Sequence, residues 1–121
     1  MSTVDITAET FEATIEKNDI VIVDFWAEWC GPCKSFAPIY EEVSTKHDDI
    51  VFGKIDTEAE QELAAHFQIR SIPTLMVFRD QVVLYSQAGM LNNSQLEDLI
   101  TKIRELDMAT VHAEIAKQAE A

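Results

Sequence analysis

Cysteine is nearly absent from this chain, at two of 121 residues. A framework of several structural disulfides is therefore excluded, and so is a four-cysteine zinc site. Proline and glycine are as sparse, at three each, so no linker or low-complexity tract is expected and these residues punctuate the pattern instead. Basic residues are also few: 9 Lys plus Arg stand against 22 Asp plus Glu, a formal net charge of −13. Such a surface repels phosphate backbones and anionic lipid, so neither a nucleic acid nor a membrane surface is an expected partner. Long apolar runs are missing too, since 20–23 and 72–78 are far too short to cross a bilayer. Residues 1–10 carry Asp5 and Glu9 and no basic residue, so no targeting leader is expected, and a reducing, cytoplasmic location is. What is present is 47% apolar and 26% charged, a globular composition at the size of one domain.

Periodicity orders the elements. Phe11 and Ile15, four apart in a polar stretch, predict a short helix over 8–18. Residues 20–26 are β-branched and aromatic, as suits a strand covered on both faces. A helix over about 32–46 follows, with Phe36, Ile39, Tyr40 and Val43 on one side and Pro38 predicting a kink. A short strand over 50–56 then leads to an acid-led helix over about 58–67, with Thr57 as its expected N-cap. Strands over 74–79 and 82–87 are separated only by Asp80 and Gln81, a connection that fits an antiparallel hairpin alone. A last helix begins near Asn93 or Ser94 and runs through Leu106. Strands alternating with helices before a hairpin imply an α/β fold, a mixed sheet with helices on both faces.

The chemistry lies with Cys30 and Cys33. Trp29-Cys30-Gly31-Pro32-Cys33-Lys34 joins the end of an apolar strand to the start of a helix. At spacing i, i+3 on a first helical turn, the two sulfurs come close enough to bond. The first then sits at the helix N-terminus, where free N–H groups and the dipole favour a thiolate. Pro32 fits a first-turn position that has no intrahelical partner for an N–H. Cys33, one turn deeper and shielded, is suited to resolve a mixed disulfide. Zinc would need two more ligands, and His47, His66 and His112 are scattered singly. A c-type haem would need His where Lys34 stands. Two inert buried thiols are the remaining reading, and Gly and Pro between them at a strand–helix junction count against it.

The segment 24–34, Asp-Phe-Trp-Ala-Glu-Trp-Cys-Gly-Pro-Cys-Lys, closely resembles the active-site segment of thioredoxins. Ala37-Pro38, Lys54-Ile55-Asp56, Ile72-Pro73-Thr74 and Gly89 continue the resemblance over about residues 4–106, in order and at similar spacing. It implies a thioredoxin-like fold, a five-stranded mixed sheet whose edge strand lies around 4–6, a segment that periodicity alone passes over. It divides the chain into a domain over 1–106 and an extension over 107–121. In that extension Met108, Val111, Ile115 and Ala119 fall at helical spacing and Asp107 is placed to cap a separate helix.

The resemblance also implies roles. Spacing leaves Asp24 either buried behind the cysteines or solvent-facing at a strand end; the matching thioredoxin aspartate helps to deprotonate the resolving cysteine. Lys54, a surface charge by its own pattern, matches a lysine that modulates that aspartate. The Ile72–Pro73 bond is implied to be cis, with Trp29, Gly31, Pro32, Ile72, Pro73, Ala88 and Gly89 forming an apolar docking surface for an extended substrate. Trp26 is expected to pack beneath the site. The implied activity is that of a protein-disulfide reductase and electron carrier with a redox-active Cys30–Cys33 disulfide. It would hold no cofactor and no metal, act on disulfide-containing proteins and be recycled by an NADPH-dependent thioredoxin reductase. A monomer is expected, because no long exposed apolar pattern calls for a dimer. Two other uses of the same surface are a binding module indifferent to redox state and an oxidant or isomerase; the Gly-Pro pair speaks against the latter. The sequence departs from many thioredoxins at Asp80-Gln81, where a glycine is common in the hairpin turn, and at Ser35 and Ser71.

Overall fold

The computed structural model describes residues 2–120. In chain order the elements are β1 (Thr3–Asp5), α1 (Ala8–Lys17), β2 (Ile20–Trp26), α2 (Gly31–Ser44), β3 (Ile50–Asp56), α3 (Gln61–His66), β4 (Thr74–Arg79), β5 (Val82–Ala88), α4 (Asn93–Glu105) and α5 (Met108–Glu120). The strands form one sheet in the order β1-β3-β2-β4-β5, parallel through β1, β3 and β2 and antiparallel from there to β5. This is the expected α/β architecture, and the edge strand spans Thr3–Asp5, one residue earlier than the resemblance placed it.

The all-apolar run in β2 is explained by its central place, because both faces are covered. Ile20 and Ile22 pack with Phe36, Tyr40, Val43, Leu96, Ile100 and Ile103 of α2 and α4, while Val21, Val23 and Phe25 pack with Phe11, Ile15, Leu63 and Phe67 on the opposite face. By this alternation Asp24 belongs to the α2 face, at a position where the pattern would otherwise place another aliphatic residue.

Beside β2, Gly53 of β3 lies under the buried Ile6 side chain, which a β-carbon at position 53 would overlap. Gly53→Ala is therefore expected to destabilise the fold by about 1–3 kcal/mol through overpacking. Chemical denaturation of the two proteins side by side would check this, and an unchanged midpoint would refute it.

One expectation is corrected. Thr57 does not cap α3: its hydroxyl donates to the Trp26 carbonyl at 3.1 Å. Asp56 Oδ1 instead accepts the Glu58 amide at 2.9 Å, so residues 57–60 turn before the helix begins at Gln61. The acidic residues that suggested a helix start belong to this turn. By contrast, α2 continues through Pro38. The hairpin turn has both central residues in the left-handed region, Asp80 at φ 52° and Gln81 at φ 68°, as a type I′ turn requires. Next to it, Arg79 Nη1 donates to the carbonyls of Ile103 (2.7 Å) and Leu106 (3.1 Å), satisfying acceptors that the end of α4 leaves open. Asp107 Oδ1 then accepts the Ala109 amide at 3.1 Å as α5 starts, and His112 Nε2 lies 3.2 Å from Asp80 Oδ2.

Candidate active site

The cysteine segment begins where β2 ends. Cys30 is the residue capping α2, with extended backbone (φ −86°, ψ 110°), and Pro32 falls in the first turn, where a missing N–H costs nothing. Cys30 and Cys33 are bonded through sulfur, with their α-carbons 5.2 Å apart. The Cys33 amide points at Cys30 Sγ from 3.2 Å. In the reduced protein that N–H and the open end of the helix would stabilise negative charge on Cys30. Both cysteines are 3% exposed and pack with Ala27, Trp26 and Ile72.

The loop before β4 supplies the facing wall. The Ile72–Pro73 peptide bond is cis, and the Ile72 carbonyl lies 3.6 Å from Cys30 Sγ. The Gly89 amide donates to the Pro73 carbonyl at 2.8 Å, drawing the end of β5 to the same place. Gly89 has φ +107°, which a side chain would strain. Trp29, Gly31, Pro32, Ala88 and Gly89 are exposed around this point, Ile72 is half-buried, and Pro73 itself is buried. Trp29 is the most prominent, at 68% exposure, and its indole N–H donates to Glu58 Oε1 at 2.7 Å.

In β2, two residues before the strand ends, Asp24 is 1% exposed, and neither carboxyl oxygen has a hydrogen-bond partner. Desolvation pushes its pKa up to about 7, against the opposing pull of the Lys54 charge. Lys54 is paired with Asp24 in the β2–β3 register, and its ammonium lies 4.8 Å from the centroid of the Trp26 ring. Trp26 is half-buried against the cysteine cluster. A carboxyl group with a pKa near neutrality can both accept and release a proton near the working pH.

The structure thus places Ile72, Pro73, Ala88 and Gly89 beside the cysteine segment and pairs Lys54 with the buried Asp24 in the sheet. It adds Glu58, which sequence reasoning placed at a helix start; only the turn after β3 aims its carboxylate at Trp29. Among the described residues no three potential ligands cluster as a metal site, and no helix is long and apolar enough to cross a membrane.

The thioredoxin family model matches residues 2–102. A putative thioredoxin 2 of Streptomyces coelicolor is 51% identical over 117 residues, covering 97% of this chain and 87% of that protein. The thioredoxin of Bacillus subtilis is 38% identical over 103 residues, covering 84% of this chain and 98% of that protein. Among solved structures, Plasmodium falciparum thioredoxin superposes with a TM-score of 0.76 at 39% identity, covering 83% of this chain and 97% of the other. With a bonded Cys-Gly-Pro-Cys pair at a helix N-terminus and relatives of this similarity over nearly its whole length, the chain belongs to the thioredoxin family of thiol–disulfide oxidoreductases.

Proposed function

We propose that the protein is a reductant of protein disulfides, with each site residue acting as the resemblance implies. The Cys30 thiolate attacks one sulfur of a substrate disulfide, forming a mixed disulfide and releasing the first substrate thiolate. Cys33, its proton taken by Asp24, attacks Cys30 Sγ and releases the second thiolate. Two electrons pass to the substrate and the Cys30–Cys33 disulfide remains. The observation that carries this reading is the Cys33 amide aimed at Cys30 Sγ, which supports Cys30 as the attacking sulfur. Lys54 modulates Asp24 through its charge. The substrate docks as an extended strand against Ile72 and Pro73, between Trp29, Gly31 and Pro32 on one side and Ala88 and Gly89 on the other.

Recycling falls to an NADPH-dependent thioredoxin reductase, so the nicotinamide and flavin belong to the partner and this chain works as a cofactor-free monomer. The 107–121 segment is an appendage to a domain over 1–106. A reducing compartment, the cytoplasm, suits a chain whose two cysteines are both in the site. The test is the equilibrium potential of the Cys30–Cys33 couple in a dithiol redox buffer, followed by turnover with thioredoxin reductase and NADPH. A potential below the glutathione poise is expected. A value at or above it would make the protein an oxidant or isomerase.

A further inference from the structure

Tyr40 is the largest fully buried side chain of the core, yet it is not purely apolar in use. Its ring packs against Phe36 and Phe52, with centroids 5.5 and 5.4 Å away. Its hydroxyl lies 3.0 Å from the Ile22 carbonyl and 2.8 Å from the Gly53 carbonyl, and its one proton serves both. Ile22 precedes Asp24 by two residues on the same face of β2, and Gly53 directly precedes Lys54 on β3. One phenol from α2 therefore clamps the two strands beside the unpartnered carboxyl and its neighbouring ammonium.

We propose that Tyr40 is a positioning residue for Asp24: by occupying both carbonyls it keeps water out of the space beside the carboxyl. Few charges compete there. β3 contributes Lys54, β4 contributes Leu75 opposite Asp24, the buried face of α2 carries the Tyr40 phenol and the disulfide-bonded Cys33, and the buried face of α4 is Leu96, Ile100 and Ile103. The two groups also sense each other, since the Asp24 charge, after burial itself, holds the Tyr40 phenol proton on. The phenol therefore stays a donor to the carbonyls throughout the range in which Asp24 titrates.

Removing the hydroxyl takes one donor away from two buried carbonyls, and water is the smallest group that can replace it. That water would also solvate the carboxylate and favour its charged form. The test is Tyr40→Phe, which keeps the ring and its packing, with Asp24 titrated by carboxyl-carbon NMR in the oxidised protein. The half-protonation pH is expected to fall, raising the ionised population of Asp24 at a fixed pH below it about threefold. A purely structural tyrosine would lower stability and leave this titration in place, and that result would overturn the proposal. The kinetic consequence rests on the reading of Asp24 as proton acceptor, and the pH profile of disulfide exchange separates the two claims. A profile that moves with the carboxyl supports both. A profile that stays put over a shifted carboxyl would refute the acceptor role and still support the hold of Tyr40 on Asp24.

Discussion

Cys33→Ser protein, reduced and mixed with a protein disulfide, is expected to arrest as a covalent adduct through Cys30. The attacking sulfur retains its helix-terminal N–H environment, so the first exchange proceeds. A serine hydroxyl, un-ionised near neutrality, cannot carry out the second. Turnover is expected to fall on the order of a thousandfold or more, about 4 kcal/mol of barrier. The adduct would appear as a mass increment equal to the substrate and would vanish with added dithiol. Cys30→Ser should form no adduct, because the remaining sulfur lies one turn inside the helix and its own amide stabilises position 30 instead. Normal turnover by Cys33→Ser, or efficient trapping by Cys30→Ser, would reverse the assignment of the two sulfurs.

The second large effect concerns stability. Asp24 holds its proton up to about pH 7 in the folded chain, while an unfolded chain releases it at the ordinary value of 3.8. Between those values the folded state binds the extra proton, so rising pH favours unfolding by about 1.4 kcal/mol per pH unit from this group. The contribution is fully present below pH 4 and is lost as pH climbs through 7, a total of about 4 kcal/mol. Asp24→Asn should flatten this slope and leave the variant more stable than the parent at pH 8, although its amide also lacks partners. Denaturation of both oxidised proteins at intervals from pH 4 to pH 8 gives the comparison directly. Parallel curves would show that some other group dominates. The same variant should slow the step in which Cys33 is deprotonated, so here stability and activity pull in opposite directions.

What was legible in the sequence follows from how local each signal is. The cysteine pair could be read because spacing, an apolar strand before it and a first-turn proline all act within about ten residues. The hairpin could be read because two residues admit only one connection. Residues 58–60 misled because acids suit a helix start and a turn equally well, and the choice depended on Asp56 reaching forward to the Glu58 amide. β1 escaped because its three residues show no buried alternation and gain their place by pairing with β3. Asp24 is undecidable from pattern alone, since burial of a strand-end carboxylate depends on which helix covers it, and Lys54 reads as a surface charge because its place beside Asp24 is set only by the β2–β3 register. The partnership of Glu58 with Trp29 spans 29 positions, and the hydroxyl of Tyr40 reaches two strands at once; neither leaves a periodic trace.

The hairpin turn gives the molecule two poles. Arg79 pairs with Ile20 at the start of β2, and the cysteines follow its far end, seven residues or roughly 23 Å along the strand. α5 is fastened at the turn pole, through Asp80 and His112 and after the carbonyls gathered by Arg79. A surface, bead or fusion partner joined near the start of α5 would thus attach at the pole opposite the cysteines. The helix is a natural handle, and immobilised protein should exchange disulfides at the rate of the free chain.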